Sequence, residues 1–431
     1  MTDTTQKDTA IAAGSGITLG RALPWIIVSL FLLVLPWIFG SNSAITIMNQ
    51  MMITVVFALS YNMLLGQGGM LSFGHAVYMG VGGFMVMHIM NLIEDYSLPV
   101  PMPLLPVFGG LFGLGLATIV GSFSTRRAGT VFAMISLGIG ELIAACSIII
   151  VAFFGGEEGI KGDRTYGLPV FGVEFLQQKE VYFVIAGWTV LATLLMYLFS
   201  RTPVGRMANA VRDNPERAEF LGYSARWVRF YSFCAAGFFA GVAGGLFAIN
   251  YEILTEQNLN TVQSGVILLI AFLGGVGFFF GPIIGAVVFT LLQSVLSLQS
   301  EIWQLYVGAL FVATVMFFPG GLAGVLMMHV PAWRLGKLGS LVVPYIKTVI
   351  PAMIGILGLA ALMELVFHAR HAAAGEDEIT LFWTTFDGFS VLPWALASIA
   401  CVGGIWIARA TAPGLRAAWH RANTPDRRPA A

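Results

Sequence analysis

Apolar residues fill most of this chain in long runs that short polar segments separate. A helix needs about 20 apolar residues to cross the hydrocarbon core of a bilayer, and the runs have about this length. The pattern predicts an all-α fold, a polytopic transmembrane helical bundle of about 10–12 spans. The twelve candidate spans lie near residues 24–40, 44–65, 69–93, 99–121, 130–154, 181–200, 230–250, 261–279, 283–298, 303–326, 343–366 and 390–409.

Glycine-rich segments interrupt this pattern. Residues 65–75 and 274–282 contain too many glycines for uninterrupted helices, so each predicts a break. Backbone without partners at membrane depth must be buried in protein or line a wet cavity. The two breaks fit an internal repeat around a translocation route, or a chance similarity between glycine-rich segments. Elsewhere, glycines four apart at Gly237, Gly241 and Gly245 predict close helix packing.

Residues 201–229 form a hydrophilic island between apolar runs. During membrane insertion Lys and Arg are retained on the cytoplasmic side. When the spans are threaded with the amino terminus inside, the island is cytoplasmic and all but four of the 22 Lys and Arg lie on that side. We therefore expect both termini to be cytoplasmic. The island holds six arginines, Arg201, Arg206, Arg212, Arg217, Arg226 and Arg229.

Composition supports the same class. The 431 residues are 57% hydrophobic with a mean hydropathy of +0.84, more than a water-soluble core requires. Residues 1–23 are predicted to be a cytoplasmic tail, because the first apolar run lacks a small-residue cleavage site. The three cysteines all lie within candidate spans, which disfavours a disulfide framework.

A short helix is predicted inside the island. Asn214 is a helix-capping residue, Pro215 suits a first turn, and Glu216 favours the positive end of the helix dipole. Gly222 predicts the stop. The result is a helix of about two turns over 215–221, outside the bilayer. It fits either a knob that docks into a groove on another protein or an ordinary surface loop.

Several segments in chain order carry a family resemblance. They are residues 58–84, 125–143, 204–248, 271–288 and 317–326. In the third, Glu216, Ala218 and Gly222 match a coupling-loop signature of Glu-Ala-Ala, three residues and Gly, with Arg217 in place of the first Ala. Together these segments resemble bacterial ABC importer permeases of the branched-chain amino-acid type, and specifically their LivM-type subunit.

The resemblance implies an ABC importer permease fold over residues 24–330, with 201–229 as the coupling loop. It leaves 331–431 as a C-terminal extension with about two further transmembrane helices. It also implies ATPase-coupling residues, which are Arg212, Asp213, Pro215, Glu216, Ala218, Glu219 and Gly222.

The chain lacks a G-x-x-x-x-G-K-[ST] phosphate loop, so we expect no ATP site, catalytic residue or cofactor here. The resemblance implies that ATP and Mg²⁺ are bound by two separate Liv-type ATPase subunits. It further implies a homologous second permease subunit, a periplasmic solute-binding protein and a bacterial inner membrane. The solute would be a branched-chain amino acid or a related small polar molecule.

Polar residues inside candidate spans are the candidates for the translocation path. Glu141 is costly at mid-span, where it fits a path-lining role or a hydrogen bond to a neighbouring helix. The others lie around the first glycine-rich segment and could instead satisfy interrupted backbone. The candidates are Asn62, Gln67, Ser72, His75 and Glu141.

Two other function classes stay open from the residues alone. An ion-coupled secondary transporter would need no ATPase partner, although buried acids that could couple ions are scarce. A membrane scaffold would bind partners through the island without transport. The sequence shows neither metal-ligand spacing nor the interleaved aromatics typical of nucleic-acid binding.

Overall fold

The computed structural model describes residues 19–169, 173–372, 378–381 and 384–424. Its chain divides into two compact units. The first comprises the described residues of Met1–Ser294 and Ala313–Leu322, and the second those of Val295–Val312 and Ala323–Ala431. Most of the predicted tail 1–23 lies outside the described residues, and the first helix already begins at Leu19.

Helices dominate both units. Those up to residue 291 are α1 Leu19–Ile38, α2 Asn42–Asn62, α3 Ala76–Tyr96, α4 Leu105–Ser124, α5 Thr130–Ile149, α6 Val151–Phe154, α7 Gln178–Arg201, α8 Pro203–Asp213, α9 Pro215–Phe220, α10 Ala225–Tyr251, α11 Thr261–Gly274 and α12 Gly281–Leu291. The remaining helices are α13 Trp303–Phe317, α14 Gly321–Met327, α15 Val330–Arg334, α16 Gly339–His371 and α17 Val391–Asn423.

The polytopic prediction is confirmed, with a correction to individual spans. Among the described residues eight helices are long and apolar enough to cross a membrane, or nine if the bent pair Trp303–Phe317 and Gly321–Arg334 is one span. The runs predicted at 261–279 and 283–298 contain the shorter helices α11 and α12. Hydropathy identifies these runs as apolar, but it does not identify where a glycine ends a helix, as Gly274 ends α11.

Helix α10 lies at the centre of the first unit, against α2, α3 and α4. The predicted ridge of Gly237, Gly241 and Gly245 forms its contact with α4, where a Cβ at Gly241 would lie 3.1 Å from the Cα of Gly110. Such contact between backbones is possible only without side chains, and it replaces a lipid contact by dense packing. The prediction of close packing is confirmed.

Two small antiparallel sheets modify the all-α prediction. Strands β1 Ile160–Lys161 and β2 Ile253–Leu254 pair in the first unit. Strands β3 Glu378–Leu381 and β4 Thr384–Asp387 pair in the second. The end of the first unit that carries β1 and β2 is called the far end below, because α8 and α9 lie at another end of this unit.

A buried arginine fastens the far end. Arg164 is largely enclosed, and its Nε donates to the carbonyl of Phe175 at 3.0 Å and its Nη1 to that of Ile249 at 3.1 Å. Nη2 donates to Gln178 Oε1 at 3.2 Å, and Nη1 lies 3.6 Å from a carboxylate oxygen of Glu252. A planar guanidinium can satisfy several acceptors at once, so this side chain ties the loop after β1 to the end of α10.

The second unit is built on α16 and α17. Its helices approach closely at small residues, since a Cβ at Gly404 would lie 2.7 Å from the Cα of Gly355. Within this unit Glu364 of α16 accepts hydrogen bonds from Ser300 Oγ and from the Tyr306 hydroxyl, the latter at 2.7 Å. Both donors keep this carboxylate hydrogen-bonded inside the helical packing.

Candidate functional site

The island folds as two consecutive helices, α8 and α9. Thr202 caps α8 by accepting from the backbone N–H of Gly205 at 3.2 Å, and Pro203 occupies the first turn. Asn214 caps α9 by accepting from the N–H of Arg217 at 3.0 Å, as its sequence context predicts. Helix α8 was not predicted, although its Thr-Pro start carries the same capping signal as Asn-Pro.

Gly222 ends α9 as predicted. Its φ is +86°, a left-handed conformation that costs glycine little. The Tyr223 N–H donates to the Ala218 carbonyl at 3.1 Å and the Gly222 N–H to that of Glu219 at 2.9 Å. This pair of bonds is the Schellman stop. Cap and stop together fix a helix of only six residues.

The two island helices have an inner and an outer face. Ala218 is 1% exposed and packs with Ala208, Val211, Ala225 and Val228. Ala218 therefore holds α9 against α8 and lies beneath the outer face. The coupling role of Ala218 stays a prediction, and its burial fits support of the helix that carries the exposed residues.

The outer face presents the predicted acids Glu216 and Glu219 to solvent. Beside them lie two apolar side chains that sequence reasoning missed, Phe220 at 91% exposure and Leu221 at 66%. Apolar residues inside an otherwise hydrophilic island were the available signal. An exposed aromatic side chain on a short rigid helix is typical of a protein contact.

Arg212 connects α8 to the first glycine-rich segment. Its Nη1 donates to the Gly66 carbonyl, its Nε donates to Asp213 Oδ1 at 2.9 Å, and its stem lies against Gly69. Asp213 thus positions the predicted coupling arginine. The contact at Gly69 requires glycine, because φ is +64° and a Cβ would lie 3.2 Å from Arg212 Cβ.

The glycine-rich segment is a helix break, as predicted. After α2 the chain makes a π-helical turn over Met63–Gln67, then runs without helix until α3 begins at Ala76. The span predicted from residue 69 is therefore too long at its start. The second glycine-rich segment lies beside it, where Asn62 Nδ2 donates to the Phe278 carbonyl at 3.4 Å. The segment from Met63 to His75 is called the junction below.

Most predicted path residues are buried in the junction. The Ser60 hydroxyl lies 3.0 Å from His75 Nε2, and the rings of Phe57, Tyr61 and Tyr78 surround that imidazole. The Tyr61 hydroxyl donates to the Ser72 carbonyl at 3.1 Å. These contacts anchor His75 and Ser72 within the protein.

Asn62 and Gln67 are also buried, with exposures of 2% and 8%. The amide of Asn62 bonds to backbone, and the Gln67 Oε1 has no hydrogen-bond partner within the described part of the chain. Both side chains therefore lie among packed residues of the junction, as does His75. The structure separates these four candidates from Glu141, which is exposed.

The end of the junction packs on α5. The Phe73 N–H donates to Ser136 Oγ at 3.1 Å, and a Cβ at Gly74 would lie 3.4 Å from the Cα of Gly140. The Ala76 N–H donates to Ser264 Oγ of α11 at 3.0 Å. Three backbone segments therefore meet here: the junction, α5 and the start of α11.

Glu141 stands at this meeting point. It occupies the twelfth of the 20 positions of α5, follows Gly140 directly, and accepts a hydrogen bond from the hydroxyl of Thr261 at the start of α11. Its side chain is on the exposed face of α5, among Met134, Leu137 and Leu142. Thr261 was not predicted, because nothing local marks it as a partner of residue 141.

Helix α11 begins far inside the bundle. Between β2 and α11 the chain descends along α3, with the Leu254 side chain beside Gly83 and the Leu259 side chain beside Gly80. Ser264 then reaches Ala76. Glu141 is eleven residues from the start of α5 at Thr130 and eight from its end at Ile149, about 16 and 12 Å at 1.5 Å per residue, so the Glu141–Thr261 pair lies away from both ends of that helix.

Comparison with known proteins places this arrangement in a family. A family model described as branched-chain amino acid transport system / permease component matches residues 43–319, well over half of the chain. The chain belongs to this family. The permease is accordingly a multi-pass membrane protein, the membrane subunit of an ABC importer.

The permease is 25% identical over 321 residues to the high-affinity branched-chain amino acid transport system permease protein LivM of Escherichia coli K12, covering 69% of this chain and 74% of that one. It is 31% identical over 160 residues to the autoinducer 2 import system permease protein LsrC of Klebsiella pneumoniae, covering 35% and 46% respectively. No solved structure matches it. The family match ends at residue 319, before α16 and α17.

Proposed function

We propose that the permease carries an amino acid across the bacterial inner membrane, driven by ATP hydrolysis on two separate subunits. A homologous second permease subunit would complete the membrane domain, and a periplasmic binding protein would deliver the solute. The LivM similarity supports this assembly, as does the arginine-rich island, which its charge predicts to be cytoplasmic.

One observation carries the mechanical part of the proposal: Arg212 of α8 bonds to the Gly66 carbonyl of the junction. The ATPases would press on the outer face of α9, where Phe220 is exposed. The inner face transmits that displacement to α8, and Arg212 passes it to the junction. The junction packs on α5 through Gly74, so the displacement arrives one residue from Glu141.

A second step concerns the path itself. A carboxylate on an apolar helix face inside a bilayer is costly, so the exposed face around Glu141 would not face lipid in the assembled importer. We place the path there, between α5 and the second permease subunit. Within the described part of the chain Glu141 has a hydroxyl, that of Thr261, as hydrogen-bond partner, and a carboxylate held in this way still attracts a cationic group. This favours a solute with an ammonium group, such as an amino acid, over a neutral one.

Reconstitution tests the class directly. Proteoliposomes with both permeases, the ATPases and the binding protein should accumulate leucine only when ATP is enclosed. The purified chain alone, under a proton or sodium gradient, should accumulate none. Gradient-driven uptake without ATPases would overturn the proposal in favour of a secondary transporter.

Substitution of Glu141 tests the path. Glu141→Gln should lower leucine transport at least tenfold while the complex still assembles and hydrolyses ATP. Glu364→Gln is the matched control, because that carboxylate is held by Ser300 and Tyr306 in the second unit. Equal effects of the two substitutions, or none from Glu141→Gln, would remove Glu141 from the path.

A further inference from the structure

The second unit has a one-sided charge distribution at the end where α17 finishes. At that end the described residues 323–350 and 405–424 contain no Asp or Glu but six Lys and Arg, which are Arg334, Lys337, Lys347, Arg409, Arg416 and Arg421. The island differs, because there acids are interspersed and Arg212 pairs with Asp213. Lys347 and Arg409 are exposed, and exposed cations in such a positive region attract anions.

Two of these cations lie at a defined depth. Val391–Ala408 of α17 contains no charged residue and is about 27 Å long at 1.5 Å per residue, close to the thickness of the hydrocarbon core. Arg409 follows directly. The Thr411 hydroxyl donates to the Lys347 carbonyl at 3.1 Å, so Lys347 of α16 lies at the same level. With α17 as a transmembrane span, both cations would lie where hydrocarbon gives way to lipid headgroups.

Two tryptophan side chains at this end of the second unit are exposed. Trp406, one turn before Arg409 on α17, is 71% exposed, and Trp333 of α15 is 69% exposed. Helix α15 packs through Ala332 against Leu341 and Ala418, which leaves Trp333 pointing outward. Tryptophan combined with Lys and Arg is typical of the bilayer interface, where the ring lies among headgroups and the cation reaches phosphate.

We propose that this end of the second unit is a binding site for anionic phospholipid of the cytoplasmic leaflet. Lys347 and Arg409 would hold the headgroup phosphate by charge-assisted hydrogen bonds, and the acyl chains would lie along the exposed apolar faces of α16 and α17. Only a lipid supplies phosphate and hydrocarbon together at this depth. The site lies outside the part of the chain that the family model matches.

The test uses the full importer complex in nanodiscs of phosphatidylcholine with increasing phosphatidylglycerol. Phosphatidylglycerol retained per complex is measured by native mass spectrometry, and thermal stability is measured in parallel. Lys347→Gln with Arg409→Gln should weaken phosphatidylglycerol binding at least tenfold. Arg126→Gln with Arg127→Gln is the control, because it removes two cytoplasmic cations from the first unit and should change binding less than twofold.

Three results would overturn the site: equal losses in the two double variants, no preference of the native complex for phosphatidylglycerol over phosphatidylcholine, or binding that is present in the permease alone and absent once the ATPases are added. The last would show that a protein partner covers these cations. Uptake of leucine is not the readout, so failure of the lipid site and failure of the proposed transport function are distinguishable.

Discussion

Gly222 offers a clean test of the short helix that would receive force from the ATPases. Its φ is +86°, and nothing lies within 4 Å of the position that a Cβ would occupy. Gly222→Ala therefore introduces no clash, and its effect is the cost of a left-handed L-residue, about 1–2 kcal/mol. Since 1.4 kcal/mol is a factor of about ten, the affinity of the permease for the ATPases should fall by roughly 5- to 30-fold.

The assay is binding of the ATPase subunits to the detergent-solubilised permease pair, with thermal unfolding in parallel. Gly222→Asn is the matched control, because Asn tolerates the left-handed region better than Ala. We expect Gly222→Asn to lose less than about threefold in affinity. If Ala and Asn both bind the ATPases with native affinity, or Asn binds worse than Ala, the conformation of residue 222 does not control docking.

Two further predictions concern packing. Gly74→Ala should destabilise the permease by about 1–3 kcal/mol, because the added methyl group overlaps the backbone of Ser136 on α5. The control is Gly138→Ala on α5, where a Cβ meets open space, and it should leave the thermal unfolding midpoint unchanged or higher. A Gly74→Ala midpoint equal to that of the native permease would refute the contact. Arg164→Met should lower the unfolding midpoint and speed proteolysis after β1, since it leaves the carbonyls of Phe175 and Ile249 unpaired. Lys161→Met, at an exposed position, is the control. Equal cleavage of the two variants would contradict the role of Arg164.

Local rules were sufficient for the elements that depend on neighbouring residues. The cap at Asn214, the stop at Gly222 and the break within 65–75 each follow from the conformational preferences of one or two residues. The glycine ridge on α10 was predictable for a similar reason, since small residues four apart mark one helix face. These features were all confirmed.

The candidate site depends on contacts between segments that are distant in the chain, and local sequence patterns do not predict such contacts. Thr261 and Glu141 are 120 residues apart, and Arg212 and Gly66 are 146 apart. The first pairing follows from how α5 and α11 pack, and the second from how α8 packs against the junction. The polarity of single residues therefore makes Glu141 and His75 equal candidates. Only the fold shows that Glu141 is exposed and that His75 is enclosed by aromatic rings.

The coupling route from α9 to the junction is best examined through the number of leucine molecules moved per ATP hydrolysed after Arg212→Gln. We expect the complex to assemble and hydrolyse ATP, while this ratio falls at least tenfold, because the bond from α8 to the Gly66 carbonyl is lost. Arg206→Gln, on the same helix and exposed, should keep the native ratio. A native ratio in the Arg212→Gln complex would contradict the coupling route, as would an equal loss in both variants.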